Sequence, residues 1–152
     1  RLRRLGVPAH QILIGGACHL DARQIQRALQ ESPMPGLDVL FIENVGNLIC
    51  PTSYDLGEDF KVVVLSVAEG DDKPFKYPGI FSRAEIAVIS KMDLLPHVRF
   101  GIEDVRAQIG TLQPGAIVMP LSALRGDGMA EWVELLETRV RAKRAARAAP
   151  AS

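Results

Sequence analysis

A chain of 152 residues is long enough for one domain with a buried core and too short for two domains of ordinary size. Its 18 basic and 18 acidic residues balance, so charge favours neither a nucleic-acid nor a membrane partner. No apolar run approaches the length of a membrane span, and residues 1–14 lack the apolar core of a signal peptide. Two cysteines are too few for a disulfide framework, so a reducing, cytoplasmic location is expected.

Short β-branched runs alternate along the chain with segments of helical periodicity, which predicts an α/β fold with a mostly parallel sheet flanked by helices. We expect strands at residues 11–14, 37–43, 61–67, 86–89 and 116–119, and helices at residues 19–30, 101–112 and 129–147. Ligands of such sheets bind at the carboxyl ends of the strands. Functional residues are therefore expected in the loops at 15–22, 43–60, 68–78, 90–96 and 121–128.

A candidate base-binding motif, Ser90-Lys-Met-Asp93, directly follows one predicted strand. The Asp93 carboxylate can accept hydrogen bonds from N1 and N2 of guanine, a pair of donors that adenine lacks. The Lys91 stem can lie along the face of the purine. G proteins have Asn/Thr-Lys-x-Asp at this place, and Ser90 departs from that pattern. The alternative is a helix cap followed by a solvated lysine.

Two further motifs have the order that a G domain requires. Ser122-Ala123 follows the next strand, where G proteins back the base with a main-chain amide. Glu43-Asn-Val-Gly46 ends an earlier strand, where the amide of Gly46 can approach a terminal phosphate and Glu43 can hold Mg²⁺, through water. Together the three motifs predict a P-loop-NTPase-like G domain of the SIMIBI type that binds GTP or GDP.

The first strand and the phosphate-binding loop of such a domain are absent from this sequence. It contains no Gly-x-x-x-x-Gly-Lys-Ser/Thr, and Gly15-Gly16-Ala17 lacks the lysine and the hydroxyl. Nucleotide affinity should therefore be very low. We interpret residues 1–147 as a partial G domain from a cut chain and residues 148–152 as a disordered tail. The basic run 139–147 is expected to be a solvated helix end.

A candidate metal site consists of the pair Cys18-His19 and the more distant Cys50. Two thiolates and an imidazole suit Zn²⁺ and Ni²⁺. Three protein ligands leave a coordination position for water or for a bridge across a two-fold dimer interface. Spacing alone favours the alternative of two small buried thiols and an incidental histidine.

Long strings around these motifs resemble one family. They are Gly16-Ala-Cys-His-Leu-Asp-Ala22, Phe41-Ile-Glu-Asn-Val-Gly-Asn-Leu-Ile-Cys-Pro51, Tyr54-Asp-Leu-Gly-Glu58 and Leu65-Ser-Val-Ala-Glu-Gly-Asp-Asp-Lys-Pro-Phe-Lys-Tyr-Pro78. Over about residues 5–137 they look like the HypB family, GTPases that help deliver nickel to [NiFe]-hydrogenase. UreG, the urease-maturation relative, shares the architecture but lacks the strings that contain the cysteines.

The resemblance implies roles for individual residues. Cys18, His19 and Cys50 match metal ligands that lie where two subunits meet when GTP is bound. The segment with Glu43 and Gly46 matches the γ-phosphate sensor, and the guanine-reading set is Lys91, Asp93, Ser122 and Ala123. One departure is Leu13-Ile-Gly-Gly-Ala17, where the family usually has Asn-Thr-Gly-x-Gly.

The implied function is that of a GTP-hydrolysing metallochaperone whose nucleotide state controls metal release, with no residue assigned to position the hydrolytic water. Its implied partners are a second copy of itself, hydrogenase maturation factors and the hydrogenase large subunit. The alternatives are a metal-binding or dimerisation module without turnover, an inactive remnant, and a urease-type nickel-insertion GTPase. The Asp71-Asp72-Lys73 loop matches a characteristic family loop and is either part of the site or dimer contact, or a solvated turn.

Overall fold

The computed structural model describes residues 2–16 and 18–148, in two compact units that divide after Asp59. In the first unit the principal element is helix α1 (Ala22–Glu31), with short 3₁₀ turns at Leu2–Leu5 and Cys50–Ser53. Asp21 caps α1: its carboxylate accepts from the amide of Gln24, whose side chain accepts from the amide of Asp21. The helix therefore begins three residues later than predicted, because Asp21 has extended backbone angles.

The strands predicted at 11–14 and 37–43 are not formed. Among the described residues of the first unit, none pairs in a sheet, and the apolar side chains of 37–43 are largely exposed, with Phe41 at 66 %. A strand requires a neighbouring backbone to hydrogen-bond with, and this unit provides none. The prediction of a buried strand at 37–43 is therefore wrong for the described structure.

The second unit contains a three-stranded parallel sheet in the order β1 (Val62–Ser66), β2 (Ile86–Ser90) and β3 (Ile117–Pro120). Val62 aligns with Ile86, which aligns with Ile117. The central strand β2 is the most deeply buried, as expected for a strand covered on both faces. These three strands confirm the predicted α/β class, and their bounds agree with the prediction to within one residue at each end.

Helices cover this sheet. The segment predicted as loop at 68–80 instead contains a 3₁₀ turn at Val67–Glu69 and the short helices α2 (Lys73–Lys76) and α3 (Pro78–Phe81). Another 3₁₀ turn, Met92–His97, follows β2. Two longer helices complete the unit, α4 (Ile102–Leu112) and α5 (Met129–Ala148).

The core of the second unit lies on both faces of β2. Ile86, Val88 and Leu121 pack against apolar side chains of α5, among them Trp132 and Leu135. Val105 and Ile109 bury the inner face of α4, which contacts α2 and α3. The carboxyl ends of β2 and β3 are thereby fixed side by side, which is where the base-binding motifs lie.

The end of α5 corrects one boundary. Ala148, predicted as the start of a disordered tail, is the last residue of the helix, and residues 149–152 lie outside the described residues. The basic run is on an exposed helical surface, as predicted. Its first member, Arg139, lies 5.3 Å from the ring centre of Phe60 and 3.8 Å from a Glu85 oxygen. Across 2–16 and 18–148, no helix combines the length and apolarity needed to cross a bilayer.

Candidate metal and nucleotide sites

The predicted metal ligands lie on two loop segments of the first unit. The Cys18 sulfur is 3.5 Å from Nδ1 of His19, and the imidazole of His19 stacks on Tyr54 with ring centres 3.7 Å apart. Cys50 begins a 3₁₀ turn whose next residue, Pro51, is buried. Both thiols are free, with Cys18 exposed and Cys50 partly exposed.

The two thiols are neighbours although 31 residues separate them in sequence. A hydrogen bond to the Cys18 side chain, together with desolvation and repulsion by Cys18, raises the pKa of the Cys50 thiol above its ordinary value. Hydrogen bonding to the neutral form has this effect because it favours keeping the proton. The neutral thiol form of Cys50 is therefore favoured, and Cys50 must lose its proton before it can bind a metal as a thiolate.

Two asparagines connect the segments that carry these thiols. Asn47 Nδ2 donates to the Cys18 carbonyl at 2.9 Å, while its Oδ1 accepts from the Cys50 amide at 2.7 Å and the Ile49 amide at 3.1 Å. Asn44 Oδ1 accepts from the amides of Leu20 and Val45 at 3.0 and 2.8 Å. The side chains of Asn44 and Asn47 therefore connect the segment that carries Cys50 to the main chain of the segment that carries Cys18.

Cys18 contacts both His19 and Cys50, but the three predicted ligands do not surround a common point. Within residues 2–16 and 18–148, no group of three His, Cys, Asp or Glu side chains already has metal-binding geometry. His19 would have to leave Tyr54 or rotate toward the thiols to complete it.

The proposed phosphate-sensing residues are accessible. Glu43 and Gly46 are both exposed, and a Cβ built on Gly46 would meet no atom within 4 Å. The Gly46 amide can therefore be approached closely by a ligand. Gly46 directly precedes Asn47, which places it beside the link between the thiols.

The turn predicted to read the base lies in the second unit, after β2. Lys91 has φ 59° and ψ 40°, the left-handed conformation that non-glycine residues rarely adopt. This turn lets the Met92 amide donate to the Leu121 carbonyl at 3.2 Å, while the Leu121 amide donates to Ile89 at 2.8 Å. The turn after β2 is thus hydrogen-bonded to the turn after β3.

Asp93 is held by the residue predicted to stand behind the base. The hydroxyl of fully buried Ser122 donates to Asp93 Oδ1 at 2.5 Å and accepts from the Arg125 amide at 3.2 Å. That hydrogen bond, with smaller contributions from the charges of Arg125 and Lys91, lowers the pKa of the Asp93 carboxyl. Asp93 is therefore ionised and oriented by Ser122, and Ala123, the residue after Ser122, is exposed.

The turn that holds Ser122 depends on two glycines. The Ser122 amide donates to the Asp127 carbonyl and its own carbonyl accepts from Gly126, both at 2.8 Å. Gly126 and Gly128 have φ of 87° and 73°. A Cβ on Gly128 would also overlap the Pro120 carbonyl and crowd Leu121, so the backbone approach here requires glycine.

The loop Asp71-Asp72-Lys73 has structural contacts in the second unit. Asp71 Oδ2 accepts from the Gly101 amide at 2.9 Å, and the Asp71 carbonyl accepts from Gln108 at 3.3 Å. Asp72 pairs with Lys76 at 2.5 Å, and Lys73 lies 5.8 Å from the Tyr77 ring centre. Asp71 therefore fastens the loop to the start of α4, and the simple solvated turn does not describe it.

Comparison with known proteins fits this geometry. The model of the CobW/HypB/UreG nucleotide-binding domain matches residues 1–120. The hydrogenase maturation factor HypB of Escherichia coli K12 is 47 % identical over 138 residues. The chain belongs to the HypB family. The match includes 91 % of this chain but only 48 % of the Escherichia coli protein. The chain thus spans about half the length of the curated relatives it matches.

Solved structures agree with this membership of the HypB family. HypB from Archaeoglobus fulgidus superposes with a TM-score of 0.85 at 40 % identity, over 91 % of this chain and 68 % of that one. A Helicobacter pylori HypB in complex with nickel gives 0.88 at 40 % identity, over 93 % and 68 %. These neighbours confirm the P-loop-NTPase-like fold class.

Several contacts of this HypB-family chain were not foreseen from its sequence. The side chains of Asn44, Asn47 and Tyr54 all contact a predicted ligand or its neighbour, and all three lie in the strings that carry the family resemblance. Arg125 was missed as well, and its only sequence signal is its position between Ser122 and Gly126.

Proposed function

We propose that this chain is the guanine-reading and metal-binding part of a GTP-hydrolysing metallochaperone that delivers nickel during [NiFe]-hydrogenase maturation. The observation that carries the proposal is Asp93, ionised and oriented by buried Ser122 at the adjoining carboxyl ends of β2 and β3. Relatives described as hydrogenase maturation factors support the pathway, and the family is one of GTPases.

Base recognition follows from the direction of the hydrogen bonds. The Asp93 carboxylate has only acceptors, so it matches the N1–H and N2–H donors of guanine and repels the N1 lone pair of adenine. Ser122 occupies one lone pair of Oδ1 and leaves the others for the base. Lys91 covers a purine face with its stem, and the exposed Ala123 turn offers an amide to the opposite side.

Glu43 and Gly46 belong to the phosphate-sensing part of the proposal. The exposed carboxylate of Glu43 fits a hard cation such as Mg²⁺, which would neutralise phosphate charge when bound. The open Gly46 amide would donate to a terminal phosphate oxygen. Since Gly46 and Cys50 are four residues apart, a change at the phosphate would act on the metal ligands through one short turn.

Cys18, Cys50 and His19 are the proposed ligands for nickel as cargo, with zinc as the competing ion. Soft thiolates and an imidazole suit both metals. The relative crystallised with nickel supports Ni²⁺ as the physiological choice. The proposed partners are a second copy of the chain, which would complete the coordination shell, other hydrogenase maturation factors, and the hydrogenase large subunit, in the cytoplasm.

The base assignment is tested by calorimetric titration of the 152-residue chain with GDP and ADP. Binding of GDP should be weak, millimolar or poorer, because this sequence has no Gly-x-x-x-x-Gly-Lys-Ser/Thr. Any measurable preference for GDP should disappear in Asp93→Ala and persist in Asp127→Ala, which removes an exposed carboxylate of the neighbouring turn. Equal behaviour of the two variants would contradict the role of Asp93.

The metal assignment is tested by equilibrium dialysis against Ni²⁺ and Zn²⁺. Cys50→Ala and His19→Ala should each reduce the metal bound per chain, whereas His97→Ala, an exposed histidine of the second unit, should not. Unchanged stoichiometry in Cys50→Ala would remove the metal site from the proposal.

A second candidate is a metal-binding or dimerisation module without nucleotide turnover. It is favoured by one observation, the close pairing of Cys18 and Cys50 in a chain whose sequence contains no phosphate-binding loop. Metal binding with no response to any guanine nucleotide would select it. A urease role for the same metal site draws support from the Helicobacter pylori relative, described as a hydrogenase/urease maturation factor and 45 % identical over 127 residues.

A further inference from the structure

Asn47 is unusual among the polar side chains of the first unit because one amide group bridges both cysteine-bearing segments. Its nitrogen donates to the main chain of Cys18, and its oxygen accepts from the main chain of Cys50. The three atoms around it settle its orientation: a carbonyl needs a donor and two amides need an acceptor, so the flipped amide would satisfy none of them.

This chemistry is specific to asparagine. Aspartate would keep the acceptor but face the Cys18 carbonyl with a second negative oxygen. Serine would be too short to span both segments, and alanine would leave the Cys50 amide without its 2.7 Å partner. Asn44 differs, because both of its hydrogen bonds are accepted by Oδ1, from Leu20 and Val45.

We infer that Asn47 is the positioning residue of the metal site, fixing the distance between the Cys18 and Cys50 thiols through their main chains without touching the metal. The inference rests on the proposed metal site. Neither thiol is on a regular helix or strand: Cys18 is in a loop and Cys50 begins a four-residue 3₁₀ turn. Their separation therefore depends on the few hydrogen bonds that join the two segments. Asn47 donates one of these to the Cys18 carbonyl, while its oxygen holds the Cys50 amide within its own segment.

The loss of metal affinity expected from removing a positioning residue can be estimated. Loss of a group that orients metal ligands from outside the coordination shell typically weakens metal binding 10–100-fold. Asn47→Ala should therefore bind Ni²⁺ at least about tenfold more weakly than the unaltered chain. The sulfur-to-nickel charge-transfer absorption per bound ion should also fall, because one thiolate is less often in place.

The decisive comparison is between Asn47→Asp and Asn44→Asp in the full 152-residue chain. The two variants make the same amide-to-carboxylate change three residues apart, so they share its effect on charge. Only Asn47→Asp loses a donated hydrogen bond. We expect Asn47→Asp to bind Ni²⁺ about tenfold or more weakly than Asn44→Asp, with similar thermal unfolding of the two variants.

The experiment uses Ni²⁺ alone, titrated against a competing chelator and followed by charge-transfer absorption. Equal Ni²⁺ affinity and equal absorption in Asn47→Asp and Asn44→Asp would overturn the positioning role while leaving the metal site intact. If the unaltered chain binds no Ni²⁺, the proposed metal site and this inference both fall. If Asn47→Ala does not fold, the aspartate pair still gives the result.

Discussion

Replacing Gly128 by alanine should destabilise the second unit by more than the same change at Gly126. Both glycines have positive φ, 73° and 87°, so each alanine incurs the left-handed penalty of about 1–2 kcal/mol. At Gly126 a new Cβ meets no atom within 4 Å, and that penalty is the whole effect. At Gly128 it also meets the Pro120 carbonyl and Leu121.

The additional overlap at Gly128 cannot be relieved cheaply, because the nearest atom belongs to the backbone of β3. Overpacking of this kind costs about 1–3 kcal/mol. We therefore expect Gly128→Ala to lose about 2–5 kcal/mol of unfolding free energy, against about 1–2 for Gly126→Ala. The clash falls on the residues that precede Ser122, so guanine recognition should weaken in the same variant.

Urea unfolding followed by the fluorescence of Trp132 measures this directly. Trp132 is the single tryptophan of the chain and packs against Ile86, Val88 and Leu121, so its signal reports the second unit. With a slope of about 1–3 kcal/mol per molar urea, the two variants should differ in midpoint by roughly 1 M. Coincident midpoints would refute the argument that the Gly128 backbone is in steric contact with β3.

Two further outcomes concern ionisation at the candidate sites. The fold lowers the pKa of Asp93. Its carboxylate therefore stabilises the folded state at pH values above the ordinary aspartate pKa, and this stabilisation is lost as the pH falls through the lowered pKa of the folded state. Ser122→Ala removes the main cause and should raise the Asp93 pKa, seen by NMR titration; an unchanged pKa would contradict it. The Cys50 pKa is raised by Cys18, so Ni²⁺ binding should release protons and strengthen with increasing pH. Titrations at several pH values test this, and a pH-independent affinity would exclude thiolate ligands.

The sheet of the second unit was predictable because its strands are bounded by loop residues and rich in β-branched side chains, and because the central strand β2 is buried on both faces. The run at 86–89 has no polar residue, and the structure buries it completely. The run at 37–43, which is apolar apart from Asp38 and Glu43, misled the prediction. Sequence pattern reports a preference for burial, whereas a strand also needs a partner backbone, and the described residues of the first unit form none.

The positions of the residues proposed to read the base were predictable, but their contacts were not. Parallel strands put Asp93 and Ser122 at one sheet edge, since each follows its strand directly. Their hydrogen bond joins side chains 29 residues apart and depends on the left-handed turn at Lys91. No residue pattern in the sequence predicts that turn. The role of Asn47 was not predicted either, because its hydrogen-bond partners are main-chain atoms, which every residue has.

Lys91 has a strained backbone at the turn proposed to read the base. Its left-handed backbone costs roughly 1–2 kcal/mol relative to a relaxed residue, and glycine would avoid that cost. Lys91→Gly should therefore unfold at urea concentrations equal to or above those of Lys91→Ala, which keeps the strain. Both variants lose the stem that would cover the purine, so both should bind GDP more weakly than the unaltered chain. If Lys91→Gly were instead the less stable of the two, the turn would not be strained, and the lysine would be retained for its backbone preference and not for the base.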